Sequence, residues 1–245
     1  NQATTRERVL TDFPRTRTIQ MPQSLWFREV GNRDRLRRLC EAHADFTILA
    51  REAQSLELAQ RHFAVPSLLC PDMAFALGSR RRTVTPVVDV LWLARTDAES
   101  TGYAPPSDDP RTAVVDWLAP LPDETPWTLP DRLVGAINRR LHRRAAVGVP
   151  TSPRLLAATF SPLARRWVTR GCDILARGRT VVTDRLHGHI LALLQDIPHV
   201  VLDNNYGKLR SMFTTWTHRS ATAHWADGPA QAMALARHLA VREAA

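Results

Sequence analysis

A chain of 245 residues is long enough for one large domain or two modest ones. Its content of 44% hydrophobic and 23% charged residues is typical of a folded globular protein and excludes a disordered chain. No apolar run approaches the roughly 20 residues that cross a bilayer, and the first ten residues lack the apolar core of a signal peptide. We therefore expect a cytoplasmic protein, with at most peripheral association with the inner face of a membrane.

The charge is strongly positive, with a formal net value of +9 and a pI near 10.9. The basic residues are scattered along the sequence and form neither a tail nor a single stripe, so we expect no nucleic-acid partner. An anionic small substrate or an anionic membrane surface accounts for the excess equally well. Of the 33 basic residues only Lys208 is a lysine, which singles out this position.

The three cysteines, Cys40, Cys70 and Cys172, are widely spaced and form no CxxC pair. This spacing predicts neither a disulfide framework nor a zinc site, and we expect buried reduced thiols. The sequence also lacks HxxH, HExxH and acidic calcium-loop patterns, so no metal and no cofactor is predicted.

The first part of the chain alternates between strand-like and helix-like segments. Residues 17–24 read as a strand and residues 32–43 as a short charged helix. A strand at 46–50 is followed by a helix at 55–63, for which Ser55 is the predicted N-cap. A turn at Pro71 and Asp72 closes this unit, and a basic stretch at 78–86 reads as a linker.

The pattern restarts after Pro86 with a near-continuous apolar strand, 87–94, typical of a parallel sheet covered on both faces. Further along we predict a strand at 112–118, helices at 130–146 and 167–178, and a closing amphipathic helix at 231–243.

Residues 179–208 form the most informative stretch, because they read as one βαβ unit. A β-branched strand at 179–183 is followed by a helix that continues through Leu194 and by a second strand at 198–202. Ligands of such units lie beyond the carboxyl ends of the strands, near helix N-termini that favour anions. Residues 184–187 follow the first strand and residues 203–208 the second, so both groups are candidates for a ligand site.

These units predict an α/β protein with two Rossmann-like domains, an N-terminal one over residues 1–82 and a C-terminal one over 83–245. About 80 residues supply only two or three strands, fewer than a doubly wound domain normally has. We therefore expect the N-terminal domain to be incomplete and the chain to begin inside it.

Five sequence elements, in order along the chain, resemble the polysaccharide pyruvyl transferase family. They are IQMPQSLWF (19–27), ILAREAQSLELAQRHF (48–63), CPDMAF (70–75), LWLARTDAE (91–99) and the pair VVTDRLHGHI (181–190) with IPHVVLDNNYGK (197–208). The RLHG and RExxS elements are individually weak signals, but five elements in one order are fairly specific.

The resemblance implies a fold similar to GT-B glycosyltransferases. It also implies transfer of the enolpyruvyl unit of phosphoenolpyruvate to a hexose of a polysaccharide or glycolipid precursor, leaving a pyruvate ketal. The sequence leaves open whether that acceptor is lipid-linked. Family members usually carry a glycine-rich GGGNxGD-type segment upstream of the first element, and its absence here adds to the expectation of a truncated chain.

Phosphoenolpyruvate carries a phosphate and a carboxylate, so its site needs fixed cations. Arg185 and Arg51 are the candidates, because each follows a predicted strand, precedes a predicted helix and lies in a matching element. The planar fork of arginine can bind either anion in a bidentate manner. His187 is the candidate acid/base, whereas His189, two residues further on, points to another helix face and is assigned a structural role.

Three more residues are predicted to bind substrate. Lys208 follows Gly207, which lets the backbone turn, and its ammonium could reach a phosphate oxygen. Ser55 belongs to the RExxS element. Asp72 could cap a helix, hold an arginine or contact the acceptor, and Trp26 is the tryptophan best placed for stacking on a sugar.

Two other functions remain open at this point. Two Rossmann-like halves with an anion site also suit a GT-B-like glycosyltransferase that uses a nucleotide-sugar. A basic, non-catalytic module that binds nucleic acid or an acidic glycan would instead show salt-dependent binding and no consumption of phosphoenolpyruvate.

Overall fold

Parallel strands alternate with helices in the computed structural model, which describes residues 2–95, 100–106, 109–117, 129–146, 152–204 and 207–244. The strands of these residues form two sheets, and every strand pair in both sheets is parallel. The predicted α/β fold is confirmed. None of the described helices is both long enough and apolar enough to cross a membrane.

The first sheet has three strands in the order β1-β2-β3, namely β1 Thr18–Gln23, β2 Phe46–Ala50 and β3 Ser67–Leu69. It is accompanied by α1 Gln2–Asp12, α2 Val30–Ala42 and α3 Ala53–His62. Alternate residues of β2 are fully or nearly buried, as expected for a strand between two neighbours. They pack into a core with Leu10, Leu25, Leu36, Cys40, Ala59 and Phe63.

The second sheet has five strands in the order β5-β4-β6-β7-β8, which are β4 Val88–Ala94, β5 Thr112–Asp116, β6 Gly178–Thr183, β7 His199–Val201 and β8 Ala223–Trp225. Its helices are α4 Leu129–Ala146, α5 Pro153–Ala176, α6 Leu186–Leu194, α7 Lys208–Met212 and α8 Pro229–Ala244. Trp92 packs with α8 residues on one face, and Leu91 and Leu93 pack with α5 and α6 residues on the other. The continuous apolar run of β4 follows from this double coverage.

A short 3₁₀ helix, Met73–Leu77, and a π-helical turn, Phe213–Thr217, bring the two sheets together. Phe75 packs against Leu186, Ile190 and Met212 of the second half. The indole Nε1 of Trp216 donates a 2.7 Å hydrogen bond to the carbonyl oxygen of Arg51 in the first half. Contacts of both kinds, apolar and polar, therefore hold the two sheets in one arrangement.

Several predicted boundaries were wrong. Helix α3 begins at Ala53 with Glu52 as its N-cap, so Ser55 lies inside the first turn and is not the cap. Helix α5 begins at Pro153, well before the predicted start, because its interior Pro162 reads as a helix break in sequence alone. Gly178 begins β6 and does not belong to that helix.

Six described elements were not predicted: α1, β3, the 3₁₀ helix, α7, the π-helical turn and β8. They are short or mostly polar, and tertiary contacts decide their conformation. Parts of the predicted segments, at residues 96–99, 118, 148–150 and 205–206, lie outside the described residues. The proposed division at residue 82 falls in the segment between β3 and β4, where the chain passes from one sheet to the other.

Two of the three thiols are buried and one is partly exposed. Cys40 and Cys172 are buried, whereas Cys70 is partly accessible. Burial raises the pKa of Cys40 to about 11, so this thiol stays protonated near neutral pH.

Candidate active site

The carboxyl ends of strands from both sheets open onto one cavity of about 790 Å³. In parallel sheets these ends lie at a common edge, which is where ligands of α/β proteins bind. The described lining residues come mostly from the segments that follow β1 to β6: Met21, Pro22, Gln23, Ser24, Arg51, Asp72, Met73, Ala74, Leu77, Arg95, Trp117, Arg185, Leu186, His187, Gly188 and Leu191, with Trp167, Val168 and Lys208. The lining contains three arginines, one lysine and one carboxylate, so the cavity is positively charged.

Arg51 follows β2 and is fixed by two neighbours at the cavity wall. Its Nη1 donates a 2.7 Å hydrogen bond to Oδ2 of Asp72, and its Nε donates a 2.8 Å bond to Oγ of Ser24. The side chains of Arg51 and Asp72 are 15% and 7% exposed. Asp72 also accepts a 2.9 Å bond from the amide of Ala74 and so caps the 3₁₀ helix. Two of the roles considered for Asp72, capping and holding an arginine, are present together.

Ser55 lies behind the cavity wall that Arg51 and Ser24 form, and it is only 1% exposed. Its hydroxyl donates to one carboxylate oxygen of Glu52, and its Oγ accepts a 2.7 Å bond from the amide of Leu25. Among the described residues that line the cavity, Ser55 does not appear. The serine of the RExxS element thus ties the loop after β1 to helix α3.

Glu52, the acidic residue of the same element, was not among the predicted site residues. It is 2% exposed, accepts a 3.0 Å hydrogen bond from Ser24, and lies 3.7 Å from Nε of Arg51. Burial raises its pKa, while the bonds from Ser55 and Ser24 and the charges of Arg51 and Lys208 act in the opposite direction. A signal for Glu52 was available, because it directly follows Arg51 at a strand end.

Arg185 joins three strand ends of the second sheet. It is the N-cap residue of α6, and its amide donates a 3.0 Å bond to Oγ1 of Thr183 at the end of β6. Its Nε donates to the carbonyl oxygen of Ala94 at 3.1 Å, and its Nη2 donates to Oδ2 of Asp116 at 3.3 Å. The guanidinium is 14% exposed, so its plane is held by β4 and β5 while it faces the cavity.

His187 lies in the first turn of α6, with 62% of its side chain accessible. Its Nε2 is 3.8 Å from Oδ1 of Asp72, a residue of the other sheet. Desolvation in the cleft lowers the pKa of His187 below its ordinary value of 6.5; Arg51, Lys208 and Arg95 lower it further, and Asp72 opposes them. The imidazole is therefore neutral at pH 7 and able to accept a proton.

Lys208 begins α7 directly after Gly207, whose φ of 74° lies in the left-handed region that favours glycine. The amide of Lys208 donates a 3.2 Å bond to Oδ1 of Asn204, which fixes the start of the helix. The predicted turn at Gly207 is confirmed. Lys208 lines the cavity together with Arg51, Arg185 and His187, so the structure brings these four predicted residues to one place.

Sequence reasoning missed Arg95, Trp117 and Trp167 as cavity residues. Arg95 stands directly after β4 in the LWLARTDAE element, so its position after a strand was a usable signal. The two tryptophans come from the end of β5 and from α5. Trp26 is 55% exposed and is not among the described lining residues.

Position 188, the glycine of the RLHG element, has no room for a side chain. A Cβ built on Gly188 would lie 2.8 Å from Cδ2 of Leu93 and 2.8 Å from Oγ1 of Thr183. Only glycine lets the first turn of α6 approach β4 and β6 this closely. Gly171 serves the same purpose in α5, where a Cβ would lie 2.8 Å from the ring of Trp117.

His189 lies behind the cavity wall in a buried chain of hydrogen bonds. His199 Nδ1 lies 2.7 Å from the carbonyl oxygen of Ile197, His189 Nδ1 lies 2.7 Å from Nε2 of His199, and Thr217 Oγ1 lies 2.9 Å from Nε2 of His189. Since a carbonyl only accepts, the protons must sit on Nδ1 of both neutral imidazoles and on the Thr217 hydroxyl. Burial lowers the pKa of both histidines, that of His199 to about 4.

The donor set of the cavity suits an anion better than a metal ion. Arginine and lysine carry no lone pair for a metal near neutral pH, and Asp72 is already engaged by Arg51. Over the described parts of the chain, no group of three or more His, Cys, Asp or Glu side chains is arranged to hold a metal ion.

Comparison with known proteins assigns the chain to a family. Residues 3–103 and 168–206 match the model of the family described as polysaccharide pyruvyl transferase. These two stretches contain Arg51, Asp72, Arg185 and His187, and they leave out α4 and most of α5.

Individual relatives agree with this match. The chain is 32% identical over 228 residues to Pyruvyl transferase 1 of Schizosaccharomyces pombe, covering 87% of this chain and 50% of that protein. It is 29% identical over 212 residues to the Bacillus subtilis protein EpsO, covering 86% of this chain and 63% of EpsO. The chain thus spans about half to three fifths of the length of these relatives.

A solved structure supports the fold. An uncharacterised protein from Klebsiella pneumoniae superposes with a TM-score of 0.52 at 16% identity, over 86% of this chain and 64% of that one. At this identity the likeness concerns the fold alone. With more than half of its residues matched by the family model, the chain belongs to the polysaccharide pyruvyl transferase family.

Proposed function

We propose that this chain carries the donor site and the acid/base of an enzyme that transfers pyruvate from phosphoenolpyruvate to a hexose of a polysaccharide or glycolipid precursor. The products are a pyruvate ketal and inorganic phosphate. The observation that carries the proposal is the meeting of Arg51, Arg95, Arg185 and Lys208 around His187 in one cavity. Family membership supports the pyruvyl chemistry.

The donor offers two anionic groups to these cations. Arg51 and Arg185 stand on different sheets, and each is braced by a carboxylate, Asp72 for one and Asp116 for the other. Bracing fixes the plane of each guanidinium before the ligand arrives, which reduces the entropy lost on binding. Lys208 supplies a compact charge for the phosphate that leaves.

The reaction moves two protons. Carbon C3 of the enol takes one proton and becomes a methyl group, while an acceptor hydroxyl adds at C2 and loses its proton. The C2–O bond to phosphate then breaks, a second hydroxyl adds at C2, and the proton of this second hydroxyl leaves on the phosphate. Neutral His187 accepts the proton of the first hydroxyl, and the imidazolium so formed supplies the proton that C3 takes up, which returns His187 to its neutral form.

The acceptor side of the cavity is proposed to lie along Trp117 and Trp167. Aromatic faces stack on the C–H faces of sugars, and these two rings are the described tryptophans of the cavity wall. Met21 to Ser24 form the facing edge from the first sheet. We propose that the two sheets act as the two halves of a GT-B-like enzyme, divided near residue 82, with no cofactor besides the phosphoenolpyruvate co-substrate.

The test is an assay of phosphate release from phosphoenolpyruvate with aryl galactosides, glucosides and mannosides, followed by mass spectrometry of the sugars. Protein extended toward the length of the relatives should be assayed beside the 245-residue chain, since the relatives are longer. The expected result is phosphate release together with a pyruvyl mass gain on one sugar class. Binding of phosphoenolpyruvate to the shorter chain, measured by calorimetry, checks the donor site separately.

Two results would overturn the proposal. If folded, extended protein released no phosphate and was protected from proteolysis by a UDP- or GDP-sugar but not by phosphoenolpyruvate, a nucleotide-sugar glycosyltransferase would be favoured. If binding were only salt-dependent and involved nucleic acid or acidic glycan, a non-catalytic module would be favoured.

A further inference from the structure

Helices α4 and α5 carry most of the excess positive charge of the chain. Their 18 and 24 residues contain nine arginines and two aspartates, in a protein whose formal net charge is +9. Seven of these arginines are exposed: Arg132, Arg139, Arg140, Arg143, Arg144, Arg154 and Arg165. Although most of the 33 basic residues lie elsewhere, these helices carry few carboxylates, so the unbalanced positive charge is concentrated on one helical hairpin.

Helix α4 contacts α5 through a few buried residues on one of its faces. Gly135 and Asn138 of α4 are buried, and the side-chain amide of Asn138 donates a 2.9 Å bond to Oγ1 of Thr159 on α5. Among the described elements, α5 is the principal packing partner of α4. Most of the surface of α4 therefore faces outward.

The exposed surface of the hairpin also carries large apolar side chains. Leu133 and Ile137, four residues apart on α4, are 61% and 40% exposed. Arg140 and Arg144 continue the same line at helical spacing, so apolar and cationic side chains share one face. On α5, Phe160 and Leu155 are 55% and 47% exposed.

We infer that the α4–α5 hairpin binds the surface of a bilayer that contains anionic phospholipids. A helix that combines arginines with exposed leucine, isoleucine and phenylalanine side chains lies in the interface, with its apolar groups among the acyl chains and its cations at the headgroups. Each arginine near an anionic surface adds to the attraction, and the hairpin concentrates seven exposed ones. Nucleic acid would use the cations but would leave Leu133 and Ile137 in water.

The position of the hairpin relative to the cavity fits a membrane-bound substrate. Trp167 of α5 lines the cavity and is 44% exposed, so the same helix forms the cavity wall and the basic surface. A saccharide anchored in the bilayer by a lipid would thus be presented beside the cavity. The presentation of a lipid-anchored saccharide to the cavity rests on the proposed function. The binding of the hairpin to vesicles does not.

Vesicle flotation tests the inference. Protein is mixed with extruded vesicles of phosphatidylcholine alone, or of phosphatidylcholine with 30% phosphatidylglycerol, at low and at physiological salt. We expect binding to the anionic vesicles, weakening as salt rises, and little binding to phosphatidylcholine alone. Replacing Arg140 and Arg144 by glutamine should weaken binding about 25-fold, at roughly fivefold for each basic residue.

Two further variants separate charge from apolar contact. Ile137→Ser with Leu133→Ser should also weaken binding while leaving its salt dependence in place. The matched control is Arg37→Gln with Arg38→Gln on α2, exposed residues in the first half of the chain, which should bind like the parent. Circular dichroism of each variant verifies that it is folded.

Three outcomes would overturn the inference. The first is the absence of folded protein from the floating fraction. The second is an equal loss of binding in the α2 control and the α4 variant, which would show that net charge alone matters. A change from dimer to monomer on replacing Ile137 and Leu133, seen by light scattering, would instead assign the surface to a second copy of the chain. Tighter binding to DNA than to anionic vesicles would assign it to nucleic acid.

Discussion

Arg51 and His187 are joined through one carboxylate, although they come from different sheets. Asp72 accepts a 2.7 Å hydrogen bond from Arg51 on one oxygen, and its other oxygen lies 3.8 Å from Nε2 of His187. The residue proposed to bind the donor and the residue proposed to move protons therefore share a partner. A substitution at Asp72 should therefore affect both Arg51 and His187.

Replacing Asp72 by asparagine should shift the pH dependence of turnover. Asp72 opposes the three cations that lower the pKa of His187, so its removal should lower that pKa further. Since the neutral imidazole is the proposed base, activity should fall as the pH falls through this pKa, and in the variant this fall should move to lower pH. The rate of phosphate release, measured between pH 4 and 9 for both proteins, shows whether the fall in activity has moved.

The same substitution should also reduce stability by about 1 to 3 kcal/mol, because it removes the shorter of the two carboxylate contacts of Arg51 and leaves only Glu52, at 3.7 Å. Urea unfolding measures this. The control is Asp34→Asn, which breaks a more exposed pair with Arg33 and should cost at most about 1 kcal/mol. An unchanged pH profile in a folded Asp72→Asn protein would contradict the link to His187.

Removal of the His187 imidazole should reduce turnover by about 10²- to 10⁴-fold, the usual contribution of a positioned acid or base. His187→Ala should leave stability nearly unchanged, because the side chain is 62% exposed. The matched control is His218→Ala, an exposed histidine at the end of the π-helical turn. Full turnover in folded His187→Ala, extended upstream where needed for activity, would remove His187 from the mechanism.

A methyl group at Gly188 should disturb the first turn of α6. Its Cβ would lie 2.8 Å from Leu93 and Thr183, so Gly188→Ala should cost about 1 to 3 kcal/mol and lower turnover by displacing His187. Gly31→Ala is the control, since nothing lies within 4 Å of a Cβ in α2. Because alanine favours helix, this control should be neutral or stabilising by up to about 1 kcal/mol. Thermal unfolding distinguishes the two.

The buried histidine chain should make the protein sensitive to acid. His189 and His199 are neutral in the folded state with lowered pKa values, so unfolding takes up protons once the pH falls below 6.5. The free energy of unfolding should fall between pH 6.5 and about 4, by about 3 kcal/mol from His199 alone. Urea unfolding at intervals of half a pH unit measures the slope.

A control variant isolates that slope. His199→Asn with His189→Gln removes both titrating rings, so the variant should be less stable at pH 7 but should lose less stability on acidification. If the free energy of unfolding fell equally steeply with pH in parent and variant, carboxylates and not these two histidines would be responsible for the loss of stability in acid.

Local pattern was enough to determine the α/β class and most of the elements around the cavity. Apolar and β-branched runs bounded by proline, glycine or aspartate predicted β2, β4 and β6 to within a residue, because these side chains favour strands. In β4 the apolar run is continuous because both faces of the strand are covered. The positions after predicted strands, together with the matching family elements, gave six candidates. Five of them line the cavity, namely Arg51, Asp72, Arg185, His187 and Lys208, and Ser55 does not appear among its described lining residues.

Only the tertiary structure decided how these residues meet and what supports them. The contact between Asp72 and His187 joins segments more than 100 residues apart, and no local pattern specifies it. Ser55 looked like a helix cap and proved to be a buried partner of Glu52, because the loop after β1 packs over α3. The arginines of the basic surface lie close together in the sequence, between residues 132 and 165, but only the pairing of α4 with α5 decides which side chains face outward. The sequence by itself determines which side chains follow each strand. The distances between side chains that are far apart in the sequence depend on how the sheets and helices pack.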